Sequence, residues 1–195
     1  MKKKLIAVAL LVIGIAILSA GTIAYFTSQT VAHNVLTSGG VTIELQEWAD
    51  EECTVPYPDE PIAAMPGQTV TKVAKVKNTD ADAFIRAQFT ITVLQNGDPI
   101  QLDNLAQAIV IVPGEGWTKG TDGWYYYNEP LGKDEVTEAL FSQVQFDGPG
   151  MGNEYQDCTI QVDVFAQAVQ KANNGESAIE AQGWPEPEAA ELPTA

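Results

Sequence analysis

Ala83-Phe84-Ile85-Arg86-Ala87-Gln88-Phe89-Thr90-Ile91-Thr92-Val93-Leu94 is the stretch that decides how the rest of the chain is read. Phe84, Arg86, Gln88, Thr90 and Thr92 interleave with apolar partners. A period of two belongs to a strand with one face against a core. The β-branched and aromatic content suits a pleated surface, and Asn96-Gly97-Asp98-Pro99 stops it.

The same logic extends in both directions. Val41 to Trp48 alternates apolar and polar without a break. Thr69 to Lys77 alternates with one slip, the mark of a β-bulge, after a Met65-Pro66-Gly67-Gln68 turn. Ile109-Val110-Ile111-Val112 and Ser142 to Phe146 read as strands, and Cys158 to Val169 is the last one, with Ile160, Val162 and Val164 on one side. Gly116 to Tyr127 reads as a hairpin with Asp122-Gly123 at its tip. Residues 49–64 are acidic, rich in proline and expected to be a loop, and residues 147–154 are a glycine-rich loop. Residues 100–108 suit a short helix. About eight short strands with polar turns and at most one or two short helices predict an all-β, antiparallel sandwich over residues 41–184. After Gln170 the strand pattern ends, and residues 185–195, mostly Pro, Glu and Ala, are expected to be a disordered tail.

The amino-terminal end has a different character. Lys2, Lys3 and Lys4 precede an apolar run from Leu5 to Leu18 that continues through small residues to Tyr25-Phe26. This is the layout of an export signal, with the lysines kept on the inner side of the membrane. Thr22-Ile23-Ala24 places small residues at −3 and −1 of a cut between Ala24 and Tyr25, and Ser19-Ala20 offers a second site. The run is also long enough to span a bilayer, so an uncleaved anchor is the alternative. Either way the rest of the chain is expected outside the cytoplasm, touching the membrane only through residues 1–24. Residues 25–40 form an extended segment that Gly39-Gly40 frees from the domain.

Composition narrows the function classes. The net charge is −16. Cleavage after Ala24 removes three of the ten basic residues and none of the 26 acidic ones, leaving seven against 26, or −19. With no basic stripe to neutralise phosphates, nucleic acid is not an expected partner. Two cysteines, Cys53 and Cys158, in an oxidising exterior fit one disulfide, with two separate thiols as the alternative.

The residues offer little catalytic chemistry. His33 is the single histidine, short of the two or three ligands a zinc hydrolase needs. The acid groups Asp50-Glu51-Glu52, Asp59-Glu60, Asp80 with Asp82, and Asp134-Glu135 all fall in expected loops without the spacing of a calcium loop. Trp117, Trp124 and Tyr125 to Tyr127 form either a sugar-stacking platform or a packed hairpin face. No cofactor is expected.

Several segments taken in order resemble the TasA/camelysin family of exported proteins. They are Gly21-Thr22-Ile23-Ala24-Tyr25-Phe26-Thr27, Asn34-Val35-Leu36-Thr37-Ser38-Gly39, Met65-Pro66-Gly67 with Val73 to Thr79, Phe84-Ile85-Arg86, Asp122 to Asn128, Leu140 to Val144, and Ile160 to Gln170. The resemblance implies a jelly-roll-like sandwich, a signal cut by a SipW-type signal peptidase, and an extracellular role as a biofilm-matrix fibre or cell-surface subunit. It also implies a donor strand near residues 25–36 that completes the next subunit's sheet, carried by Phe26, Val31 and Val35. Pairing of that segment within its own sheet is the alternative. Some camelysin members are described as metallopeptidases, so a secreted metalloendopeptidase is a second reading, and an adhesion module binding glycans through its aromatics is a third.

Overall fold

Alternation along two strands of 13 residues builds the larger of two sheets. The computed structural model describes residues 34–37, 41–58, 60–63 and 65–185, the first four by backbone alone. In chain order the strands are β1 (Asn34–Thr37), β2 (Ile43–Trp48), β3 (Ile62–Ala63), β4 (Thr69–Asn78), β5 (Ala83–Gln95) and β6 (Asp98–Ile100). After a four-residue helix α1 (Leu105–Ala108) come β7 (Ile109–Ile111), β8 (Trp117–Lys119), β9 (Tyr125–Tyr127), β10 (Phe141–Phe146) and β11 (Cys158–Gln170).

The larger sheet runs β1-β11-β5-β9-β8, with β3 on β11 and β6 on β5. The smaller runs β2-β4-β10-β7. β5 and β11 pair antiparallel along their whole length, from Gln95↔Cys158 to Ala83↔Gln170. Their inward residues, Ile85, Ala87 and Val93 against Ile160, Val162, Val164, Ala166 and Ala168, meet Leu45, Val76, Phe141, Val144 and Phe146 of the other sheet in one core. The expected all-β sandwich is the observed fold.

Local chemistry explains the joints. Two steps along β10 (Phe141 to Gln143) oppose three steps along β4 (Ala74 to Thr71), so the slip in the β4 pattern is a bulge. Asn78 at the end of β4 is fully buried. Its amide donates to the carbonyls of Ala81 (2.8 Å) and Leu131 (2.9 Å) and its oxygen accepts from the Asp80 amide (3.1 Å). That one side chain stitches the crossing from β4 to β5 onto the segment that follows β9.

Three expectations need correction. Asn96 and Gly97, with φ of 54° and 89°, form a type I′ hairpin turn rather than a stop, and β6 folds back on β5 despite Pro99. The loop over 49–64 contains β3, whose Ile62 and Ala63 pair with Ile160 and Thr159. Residues 171–185 carry no strand, as the end of the alternating pattern implied, and form a strap over the outer face of the larger sheet, where Ala178, Ala181 and Trp184 pack on Phe84, Trp124, Tyr126 and Val169. Finally, Cys53 and Cys158 are free thiols, not a disulfide. Cys53 lies in the turn after β2 and Cys158 opens β11, and each sulfur faces local carbonyls instead. Cys53 lies 3.7 Å from the Glu51 oxygen; Cys158 lies 3.5 and 3.7 Å from those of Glu154 and Gln156.

Candidate functional site

Of the residues expected to process or donate the amino-terminal segment, Ala24, Tyr25, Phe26 and Val31 lie outside the described residues, as do His33, Asp59 and the tail after Pro185. Val35 lies within β1. There it is opposite Ala166, in a parallel pairing that runs from Asn34↔Phe165 to Thr37↔Ala168. The described part of the segment therefore pairs with its own sheet.

That pairing defines the most open feature of the fold. One side of β11 is filled by β5 over all 13 residues. The other side holds β3 only at Thr159 and Ile160 and β1 only at Phe165 to Ala168. Between them, Gln161 to Val164 have no strand partner among the described residues. Parallel ladders are slightly weaker per residue than antiparallel ones, so β1 is a short, lightly held occupant of a much longer edge.

The acid groups act in local turns. The Asp50 carboxylate accepts from the Thr54 and Val55 amides at 2.9 Å each and from the Thr54 hydroxyl. The Thr54 hydroxyl and then the Val55 amide hold its pKa below the ordinary carboxylate value. Glu135 accepts from the Gly132 amide at 2.7 Å, and Asp80 and Asp82 are exposed on either side of Ala81. Burial, and then the charge of Asp157, push the Cys158 thiol up, the opposite of what activates a nucleophile.

The aromatic hairpin is packed on both faces. Trp117, Tyr125 and Tyr127 turn to the main core, Trp117 and Tyr127 with ring centroids 5.1 Å apart. Trp124 and Tyr126 turn outward under the strap. Between them lies a constellation that alternation in β5 does not announce. Arg86, 8 % exposed, donates from Nε and Nη2 to Gln167 Oε1 at 2.9 and 2.7 Å. Its guanidinium carbon is 4.3 Å from the centre of the Trp124 ring and 4.6 Å from that of Trp184. Nη1 reaches the Tyr126 hydroxyl at 3.4 Å, and that hydroxyl donates to Asp122 Oδ2 at 2.6 Å. Gln167 Nε2 is buried without a hydrogen-bond partner among the described residues. Stacking between two indoles suits a planar, weakly hydrated cation. The arrangement clamps the carboxy-terminal strap to the sheet and leaves neither indole face-on to solvent at the arginine side.

Among the described residues, no three His, Cys, Asp or Glu side chains come together as a metal-binding group. No protein-family model, curated protein or solved structure matches the chain.

Proposed function

We propose that this is a secreted, non-enzymatic structural protein, a matrix-fibre or cell-surface subunit that assembles by β-strand addition, as the resemblance to the TasA/camelysin family implies. Export follows from residues 2–26, with cleavage between Ala24 and Tyr25 by a SipW-type signal peptidase. The observation that carries the reading is the edge of β11, where β1 covers four residues and Gln161 to Val164 have no strand partner among the described residues. A strand supplied by another copy gains main-chain hydrogen bonds along that edge, with alternate side chains giving specificity. Among the described residues, release of β1 from its own sheet gives up a four-residue parallel ladder, the weaker kind of pairing.

Electron microscopy of the chain with and without residues 25–36 tests this. The unaltered protein forms polymers, and the deletion leaves only small soluble species. Polymer growth that persists in the deletion variant overturns strand donation by this segment.

A further inference from the structure

A second edge differs in character from that of β11. β7 ends the smaller sheet, and among the described residues no strand lies beyond it. The opposite edge, β2, is covered at its carboxy-terminal end: Trp48 bridges to Pro56, Ala49 N donates to Val55 O, and Tyr57 N donates to Glu47 O. At the margin of the larger sheet, β8 carries Lys119. Exposed edges are commonly blunted by a lysine or an inward charge. β7 has neither, and no charged residue lies between Asp103 and Glu115; what limits this edge is its three-residue length and Pro113.

One exposed row beside this edge carries no charge, with an acid on either side of it: the Asp147 amide donates to the Ala108 carbonyl at 2.9 Å, and Gln143 Nε2 lies 3.4 Å from Glu51 Oε1. Val110 is opposite Gln145, and Gln145 is opposite Thr69, so an exposed row without charge crosses three strands. Val110 is 37 % and Val112 63 % exposed. Farther across the same sheet the pairs are Glu44↔Lys77 and Gln46↔Lys75. In a chain of net charge −16, copies repel one another over most of their surface, and they approach at least cost where charge is missing. A basic partner would be drawn to the acidic surface elsewhere, not to this neutral row. An edge strand that meets its own copy pairs antiparallel about a two-fold axis, the symmetry that lets one patch complement itself.

We propose that β7 pairs with β7 of a second copy, joining the two smaller sheets into one continuous sheet. The contact is distinct from the β11 edge and has a different role: it ties polymers side by side, while strand addition extends them. The three residues of β7, with Val112 beside them, make a small interface, weak in isolation and strengthened when copies are held in a row.

Hydrogen exchange on the unmodified chain tests this. The outward amides within Ile109–Val112 become more slowly exchanging as protein concentration rises toward about 1 mM. The same protection appears in the chain lacking residues 25–36, so the β7 contact is read separately from strand addition. In that deletion background sedimentation shows a dimer, and Val110→Lys with Val112→Lys returns it to the mass of one chain. Ile179→Lys, at another exposed apolar position, leaves the dimer intact. Exchange at Ile109–Val112 that is independent of concentration overturns the proposal, as does an edge variant that stays dimeric. The exchange experiment decides the matter even if the double lysine variant fails to fold.

Discussion

Lys72 is 4 % exposed inside one end of the sandwich and Arg86 is 8 % exposed on the outer face of the larger sheet, yet their partners differ in kind. Lys72 Nζ lies 2.7 Å from Glu47 Oε1, an ion-pair distance at an angle outside hydrogen-bond geometry, and 4.0 Å from the centre of the Tyr57 ring. Arg86 leans on a neutral amide and two indoles, with its carboxylate, Asp122, 3.7 Å from Nη1. A compact ammonium requires an opposite charge close by. A flat guanidinium spreads its charge over ring faces and accepts neutral partners. The difference decides what each site can hold. Lys72 braces one loop, residues 49–58, whereas Arg86 pins a segment from the far end of the chain because its second face is free to take Trp184.

Removal of the guanidinium should therefore be the most damaging single change. Arg86→Ala leaves the Gln167 amide wholly unpaired, Asp122 without its cation and the two indoles without the plane between them. The expected loss is about 3–5 kcal/mol, read by urea denaturation, with early proteolysis within residues 171–185. Arg86→Lys restores the charge but not the plane, so it should recover little. A lysine variant as stable as the parent would remove the distinction between the two sites.

The lysine site should respond through charge instead. Glu47→Gln leaves a buried ammonium with a neutral acceptor and the Tyr57 ring, for an expected loss of about 2–4 kcal/mol. Replacing both partners with apolar residues, Lys72→Met with Glu47→Leu, should return most of that loss, because a packed apolar pair often matches a buried ion pair. Thermal denaturation of the single and double variants closes the cycle. A double variant worse than Glu47→Gln would mean that the pair acts through something other than mutual neutralisation.

Neither site was legible in the sequence, although most of the sheet framework was. Alternation located β2, β4, β5, β10 and β11, since each buries one face and period two is then obligatory. β3 and β6 were not legible: two or three residues carry no period, and Pro99 argues against a strand. The strap was missed because its apolar content is slight. It is held by Trp184 on Arg86 and by the Asn174 side chain, which donates to the carbonyls of Gln170 and Gln182 and accepts from the Gln182 amide at 2.7 Å. Arg86 looked like one polar residue of an alternating strand because Gln167, its cross-strand neighbour, is 81 positions away. Lys72 also looked solvent-facing, but it shares its phase with Val70, Ala74 and Val76 of the core, which points it inward to Glu47. Pairing of the segment that contains Val35 within its own sheet was one of the two alternatives for it, but the edge of β11 that it reaches and the two short strands that frame the gap were not legible.

The smallest expected effect separates the sites by their tyrosines. Burial and then the Glu47 charge raise Tyr57; burial and then the hydrogen bond to Asp122 raise Tyr126, with Arg86 pulling the other way. Both phenols are thus easier to ionise in the unfolded chain, where the value is about 10. Their contribution to stability is complete below that pH and is lost as pH climbs through the higher folded values. Stability should decline above about pH 10, and the decline should be shallower in Tyr57→Phe and in Tyr126→Phe. Phenolate absorbance, read as the difference between each chain and its Tyr→Phe variant, assigns the two groups. Glu47→Gln should bring Tyr57 part of the way down, since burial remains, and leave Tyr126 where it is. If both tyrosines move together, the ends of the sandwich are electrostatically coupled and the two cations are not independent sites. If only Tyr57 moves, the ring over Lys72 senses the carboxylate that neutralises it, while Tyr126 answers to a different acid beside a cation held chiefly by ring faces.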